Sequence, residues 1–135
     1  MKIKASFALV AGLGLILAAI PVLAHHSFAA QFDRNKPANL TGPVTKIEWI
    51  NPHARFFMDV KDADGKIENW EVELGSTAGL LRRGFTRNAL KIGETVTVVG
   101  SKAKDGSNVA NATTVKFSNG NSVFANSSGG DGNTQ

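Results

Sequence analysis

Thr45-Lys46-Ile47-Glu48-Trp49-Ile50-Asn51-Pro52-His53-Ala54-Arg55-Phe56-Phe57-Met58-Asp59-Val60 is the stretch whose pattern decides the fold. Thr45, Ile47 and Trp49 alternate with Lys46 and Glu48, the period of two expected of a strand with one buried face. Asn51-Pro52 breaks the run. Phe56, Met58 and Val60 then alternate with Arg55, Phe57 and Asp59, so a second strand begins just after His53. Asp62-Ala63-Asp64-Gly65 has the residue types of a tight turn. Beyond it Trp70, Val72 and Leu74 alternate with Asn69, Glu71 and Glu73. Three strands in series with short connections predict an antiparallel meander.

On the C-terminal side the period changes. Ser76 to Gly84 predicts a short helix. Ser76 or Thr77 caps its start, Arg82 and Arg83 suit its negative end, and Gly84 stops it. A fourth strand contains Val96 and Val98, Asp105-Gly106 turns it, and Val109 to Phe117 is a fifth, with Val115 and Phe117 inward. Asn119-Gly120-Asn121 leads to a short sixth strand ending near Ala125. On the N-terminal side, strand-like residues begin at Leu40. Three strands, a helix and two strands is the element order of the oligonucleotide/oligosaccharide-binding (OB) barrel. The expected fold is therefore all-β, mainly antiparallel: a five- or six-stranded OB-like barrel with one short helix between strands 3 and 4. Other small barrels and sandwiches share that order.

The start of the chain reads as an address. Met1 to Lys4 is basic, Ala5 to Ile20 is apolar apart from Ser6 and two glycines, and Pro21-Val22-Leu23-Ala24 ends in small residues at −3 and −1. These are the three regions of a secretory signal peptide, cleaved after Ala24. An uncleaved anchor is the alternative, since the run is long enough to span a bilayer. The expected organisation is a signal peptide over 1–24, a histidine-containing segment over 25–38, a barrel over 39–125 and a disordered tail over 126–135. In a bacterium the mature protein would be periplasmic or secreted, with no stable membrane insertion once the signal is removed.

The full chain has 135 residues and a net charge of +4; removing Lys2 and Lys4 leaves 13 basic against 11 acidic residues. That balance does not predict a nucleic-acid partner. Cysteine is absent, which excludes disulfides, thiolate metal sites and cysteine nucleophiles. Asp62, Asp64 and Glu73 fall at positions 1, 3 and 12 of a would-be calcium loop. Ile67 occupies the position that requires glycine, so a hairpin is expected instead. The mature chain has no glycine-rich phosphate loop and no nucleophile elbow. Asn39, Asn111 and Asn126 each head a glycosylation triplet, which matters only on a eukaryotic secretory route. Arg82, Arg83 and Arg87 read as a solvated helix end rather than a phosphate site.

Histidine carries what chemistry remains. There are three, His25, His26 and His53. Cleavage after Ala24 would give His25 a free α-amine beside its imidazole, and the pair can close a chelate ring on one metal ion. An α-amine has an ordinary pKa of about 7.7–8.0 and yields its proton to a metal more easily than a lysine does. His26 and His53 are the further candidate ligands. Nitrogen donors without thiolate suit Cu(II), Zn(II) or Ni(II), and copper binds most strongly to a given set. By parity His53 shares the outward face of Arg55 and Phe57, while Phe28 and Phe32, four apart, could pin the terminal segment in a short helix. The plainer alternatives are a solvated His-His and a His53 that caps a turn. Glu48, Glu71 and Glu73 read as solvent-facing strand carboxylates, and no acid–base group is placed by a motif, so no enzyme is predicted, with copper-dependent redox activity left open as the alternative.

The terminal histidine with a second histidine resembles the histidine brace of copper proteins; the resemblance covers His25 and one other histidine, and not the fold. More broadly, the chain carries His25-His26-Ser27-Phe28, Phe32-Asp33, Trp49-Ile50-Asn51-Pro52-His53-Ala54, Trp70-Glu71-Val72-Glu73 and Gly93-Glu94-Thr95-Val96-Thr97-Val98. With these it resembles a bacterial family of small exported proteins known only as a domain of unknown function. The resemblance runs from about His25 to Ala125 and implies an exported, compact β domain; it supplies no reaction. Two functions follow as expectations. One is periplasmic binding of copper, or another divalent metal, through His25, His26 and His53. The other is a metal-free module for a ligand or a periplasmic protein partner, with Arg55 and Phe57 as contacts. A purely structural role in a larger exported complex is a third, weaker reading.

Overall fold

A computed structural model describes residues 28–126. The expected signal peptide over 1–24, His25, His26 and the expected tail beyond Asn126 lie outside the described residues. A helical turn covers 28–31. Six strands follow: β1 (Phe32–Glu48), β2 (Arg55–Lys61), β3 (Ile67–Glu73), β4 (Thr95–Ala103), β5 (Val109–Phe117) and β6 (Ser122–Phe124). One helix, α1 (Thr77–Arg82), sits between β3 and β4. Neighbouring strands run in the order β3-β2-β1-β4-β5-β6, and β3 also pairs with β5. The β3–β5 pairing is parallel and every other pairing is antiparallel. Strands β1, β2, β3, β5 and β4 thus close a ring of five, the expected OB-like barrel, with β6 added beside β5.

The long first strand makes closure possible. Residues Phe32 to Pro43 pair with β4, and Val44 to Glu48 pair with β2. One strand therefore serves two neighbours, which requires it to bend. The strand starts at Phe32 rather than at Leu40, because Phe32 is buried and pairs with Ala103. Arg34 to Lys36 obscure this in the sequence: they sit in an irregularity of the ladder between Asp33 and Pro37. A second irregularity falls between Val44 and Lys46. It corrects the inward assignment of Thr45, which is exposed, while Val44 is buried. An extra residue in one strand flips the faces that follow it. Leu40 and Val44 point inward before the bulge, and Ile47 and Trp49 pack on the core after it.

Two glycines sit where strands approach too closely for a side chain. A Cβ on Gly42 would overlap the Asp59 carbonyl oxygen, and one on Gly100 would overlap that of Asn111. Both obstacles are backbone, so no rotamer change relieves them.

Alternation fills the interior as expected. Phe56, Met58, Val72, Leu74, Val96, Val98 and Val115 are buried, and Trp70 nearly so. Each such aliphatic or aromatic side chain contributes about 1.5–3 kcal/mol by leaving water. The helix forms where its caps predict. Ser76 Oγ accepts from Gly79 N at 3.2 Å, Arg82 lies in the last turn, and Gly84 follows with a φ of 80°. Its Leu80 enters the core. After the helix, Phe85 is fully buried and meets two rings edge-on. Trp49 lies 6.2 Å away at 76° and Phe117 lies 6.0 Å away at 86°. Phe85 thereby holds Trp49, the first residue of the β1–β2 loop.

Candidate functional site

Among the three histidines, the described residues include His53 alone. It sits at the end of the β1–β2 loop. Thr77 Oγ1 donates to Asn51 Oδ1 at 2.8 Å, tying the loop to the start of α1. Ala54 N donates to Gly75 O at 3.1 Å and Leu74 N to Ala54 O at 2.8 Å, which prolongs the β2–β3 ladder past Arg55. Ala54 points into the core, so its neighbour His53 points outward, as parity predicts. The His53 side chain retains 36% of its accessible surface.

The register places a row of polar side chains beside it. Glu48 is paired with Arg55, Arg55 with Glu73, and Glu73 with Asn111 across four strands. His53 lies diagonal to Glu73, a spacing that long side chains bridge. Its Nδ1 is 3.3 Å from Glu73 Oε1. Asn111 Nδ2 donates to the same oxygen at 3.0 Å. Asn111 lies in the same outward row yet is buried, at 1% exposure. One carboxylate oxygen therefore faces an imidazole nitrogen from one side and is fixed from within the barrel wall on the other.

Arg55 occupies the rest of the row. Its Nη1 donates to Glu71 Oε1 at 2.8 Å and its Nε is 3.4 Å from Glu48 Oε2. Lys46 Nζ donates to Glu48 Oε1 at 2.6 Å and lies 5.1 Å from the Phe57 ring centre. The Lys46 hydrogen bond is the main reason the Glu48 carboxyl sits below its ordinary value of 4.5; desolvation opposes it, and the charges of Lys46 and Arg55 reinforce it. These contacts count against Arg55 and Phe57 as a free docking face. The guanidinium is engaged by two carboxylates, and the ring is half-buried beneath an ammonium group.

The other sequence candidates resolve plainly. Asp62 Oδ1 accepts from Asp64 N at 2.9 Å and Lys66 N at 2.8 Å, so the would-be calcium loop is the expected hairpin. Arg82, Arg83 and Arg87 are exposed, and Arg83 reaches Asn126 O at 3.4 Å. Among the described residues no three histidine, aspartate or glutamate side chains converge as a metal cluster. No helix among them is long and apolar enough to cross a membrane.

Sequence reasoning missed Glu73 as the neighbour of His53 and Asn111 as the residue that holds Glu73. For Glu73 the signal was present: it shares parity with Arg55 across the hairpin. For Asn111 there was none, because its place depends on the parallel β3–β5 pairing that closes the barrel. The model of a family described as of unknown function (DUF6152) matches residues 12–112. The matched stretch contains all three histidines, Glu73 and Asn111. No curated protein matches the chain.

Proposed function

This chain belongs to the family of unknown function DUF6152, and from that premise we propose that it is an exported metal-binding protein whose metal is copper. Signal cleavage after Ala24 turns His25 into the N-terminal residue. Its amine and imidazole then chelate one ion, and His53 supplies a further imidazole, with His26 as an additional donor. The donor set is all nitrogen, without thiolate, which favours Cu(II) over the other divalent ions of the first transition row. Carriage or buffering of copper in the periplasm is the role this chemistry suits.

The observation that carries the reading is the position of His25 directly after a well-formed cleavage site. The outward, half-exposed His53 supports it. The test is calorimetric copper titration of the exported, mass-verified mature protein and of its His25→Ala and His53→Ala variants. One-to-one binding that each substitution weakens at least tenfold is the expected result. Equal affinity in all three proteins rejects the site. Absence of copper binding in any form leaves the metal-free binding module as the better account.

A further inference from the structure

We propose that Glu73 is the positioning residue of His53, holding the proton on Nδ1 and leaving Nε2 as the nitrogen with a free electron pair. The imidazole geometry stands on its own; its use in binding copper rests on the function proposed above.

A neutral imidazole has one N–H and one electron pair, and only the latter can take a metal. An ionised carboxylate only accepts hydrogen bonds. Glu73 Oε1 lies 3.3 Å from His53 Nδ1, an ion-pair distance, and its negative charge favours the tautomer that carries the proton on the nearer nitrogen, Nδ1. That oxygen does not move freely. Asn111 Nδ2 donates to it at 3.0 Å, and Asn111 is buried in the barrel wall on β5. The order Asn111, Glu73, His53 thus runs from a rigid strand to a half-exposed ring. A carboxylate behind a histidine in this way fixes the ring orientation and the tautomer. Arg55 lies directly across from Glu73 but donates a hydrogen bond to Glu71 and forms an ion pair with Glu48 instead, so Glu73 stays available to the imidazole.

The experiment uses mature protein labelled with 15N-histidine at about pH 8, above the ordinary imidazole range. Long-range proton–nitrogen spectra report which ring nitrogen carries the proton. The His53 signals are those lost in His53→Gln. The expected wild-type pattern is a protonated Nδ1 and an unprotonated Nε2. Glu73→Ala should abolish that pattern, and Glu73→Gln should weaken it less, because the amide oxygen keeps a partial negative charge beside Nδ1. Copper affinity should fall about 10–100-fold in Glu73→Ala and less in Glu73→Gln. A wild-type His53 protonated on Nε2, or a tautomer unchanged in Glu73→Ala, overturns the proposal. Loss of copper in both variants with the tautomer intact also overturns it, since Glu73 would then be a ligand. The expected tautomer pattern in a protein that binds no copper upholds the positioning role and rejects the metal reading alone.

Discussion

Replacing Phe85 with alanine removes the ring that anchors the base of the His53 loop. Phe85 is fully buried and lies edge-on to Trp49 and Phe117 at 6.2 and 6.0 Å. A buried Phe→Ala change costs about 3–5 kcal/mol through lost transfer energy and the cavity left behind. The barrel is a single small domain, and such domains are stable by about 5–15 kcal/mol in total. The loss is therefore a large fraction of the whole. Phe85→Leu keeps most of the volume and loses mainly the two ring-edge contacts, each worth about 0.5–1.5 kcal/mol. The assay is urea unfolding followed by tryptophan fluorescence, since Trp49 reports directly on this contact. With a slope of about 1–3 kcal/mol per molar urea, the alanine midpoint should fall by roughly 2 M and the leucine midpoint by clearly less. A loss under about 1 kcal/mol for alanine, or equal losses in the two variants, would refute the packing argument.

Gly100→Ala forces a Cβ onto the Asn111 carbonyl, where only backbone can yield. Its cost should reach or exceed the roughly 1–3 kcal/mol typical of overpacking, and an unchanged melting temperature would contradict the close approach of β4 and β5. Glu48 gives a pH dependence with a definite sign. Its folded-state pKa lies below the ordinary 4.5, chiefly through the Lys46 hydrogen bond. Its stabilisation is therefore present above the unfolded-chain value and is lost as pH falls through the lowered folded-state value. The stability gap between wild type and Glu48→Gln should be present at neutral pH and vanish in strong acid; a gap independent of pH would show that the charge is irrelevant.

The sequence revealed what local chemistry controls. Ser76 and Gly84 announce the ends of the helix, Asp62 announces its hairpin, and alternation in β2 and β3 assigns every inward residue correctly. It concealed what depends on pairing between distant strands. Thr45 read as inward because a period of two carries no mark of a bulge, and the bulge shows only when Val44 and Lys46 are set against β2. Phe32 joined β1 unseen because polar residues and Pro37 separate it from Leu40. The outward direction of His53 followed from parity with Arg55. The nearness of His53 to Glu73 lay within reach of the β2–β3 hairpin parity, but the hydrogen bond from Asn111 to Glu73 required the parallel closure of β3 on β5, which no stretch of sequence encodes by itself.

Whether the α-amine of His25 is a metal ligand is decided by a single comparison. Copper is titrated into the mature protein and into the same protein carrying one extra alanine before His25. The extension leaves all three imidazoles in place and converts the amine into a peptide amide. Tight one-to-one binding is expected in the mature protein, with at least a hundredfold weaker binding in the extended one. Equal affinity in the two would contradict ligation by the amine.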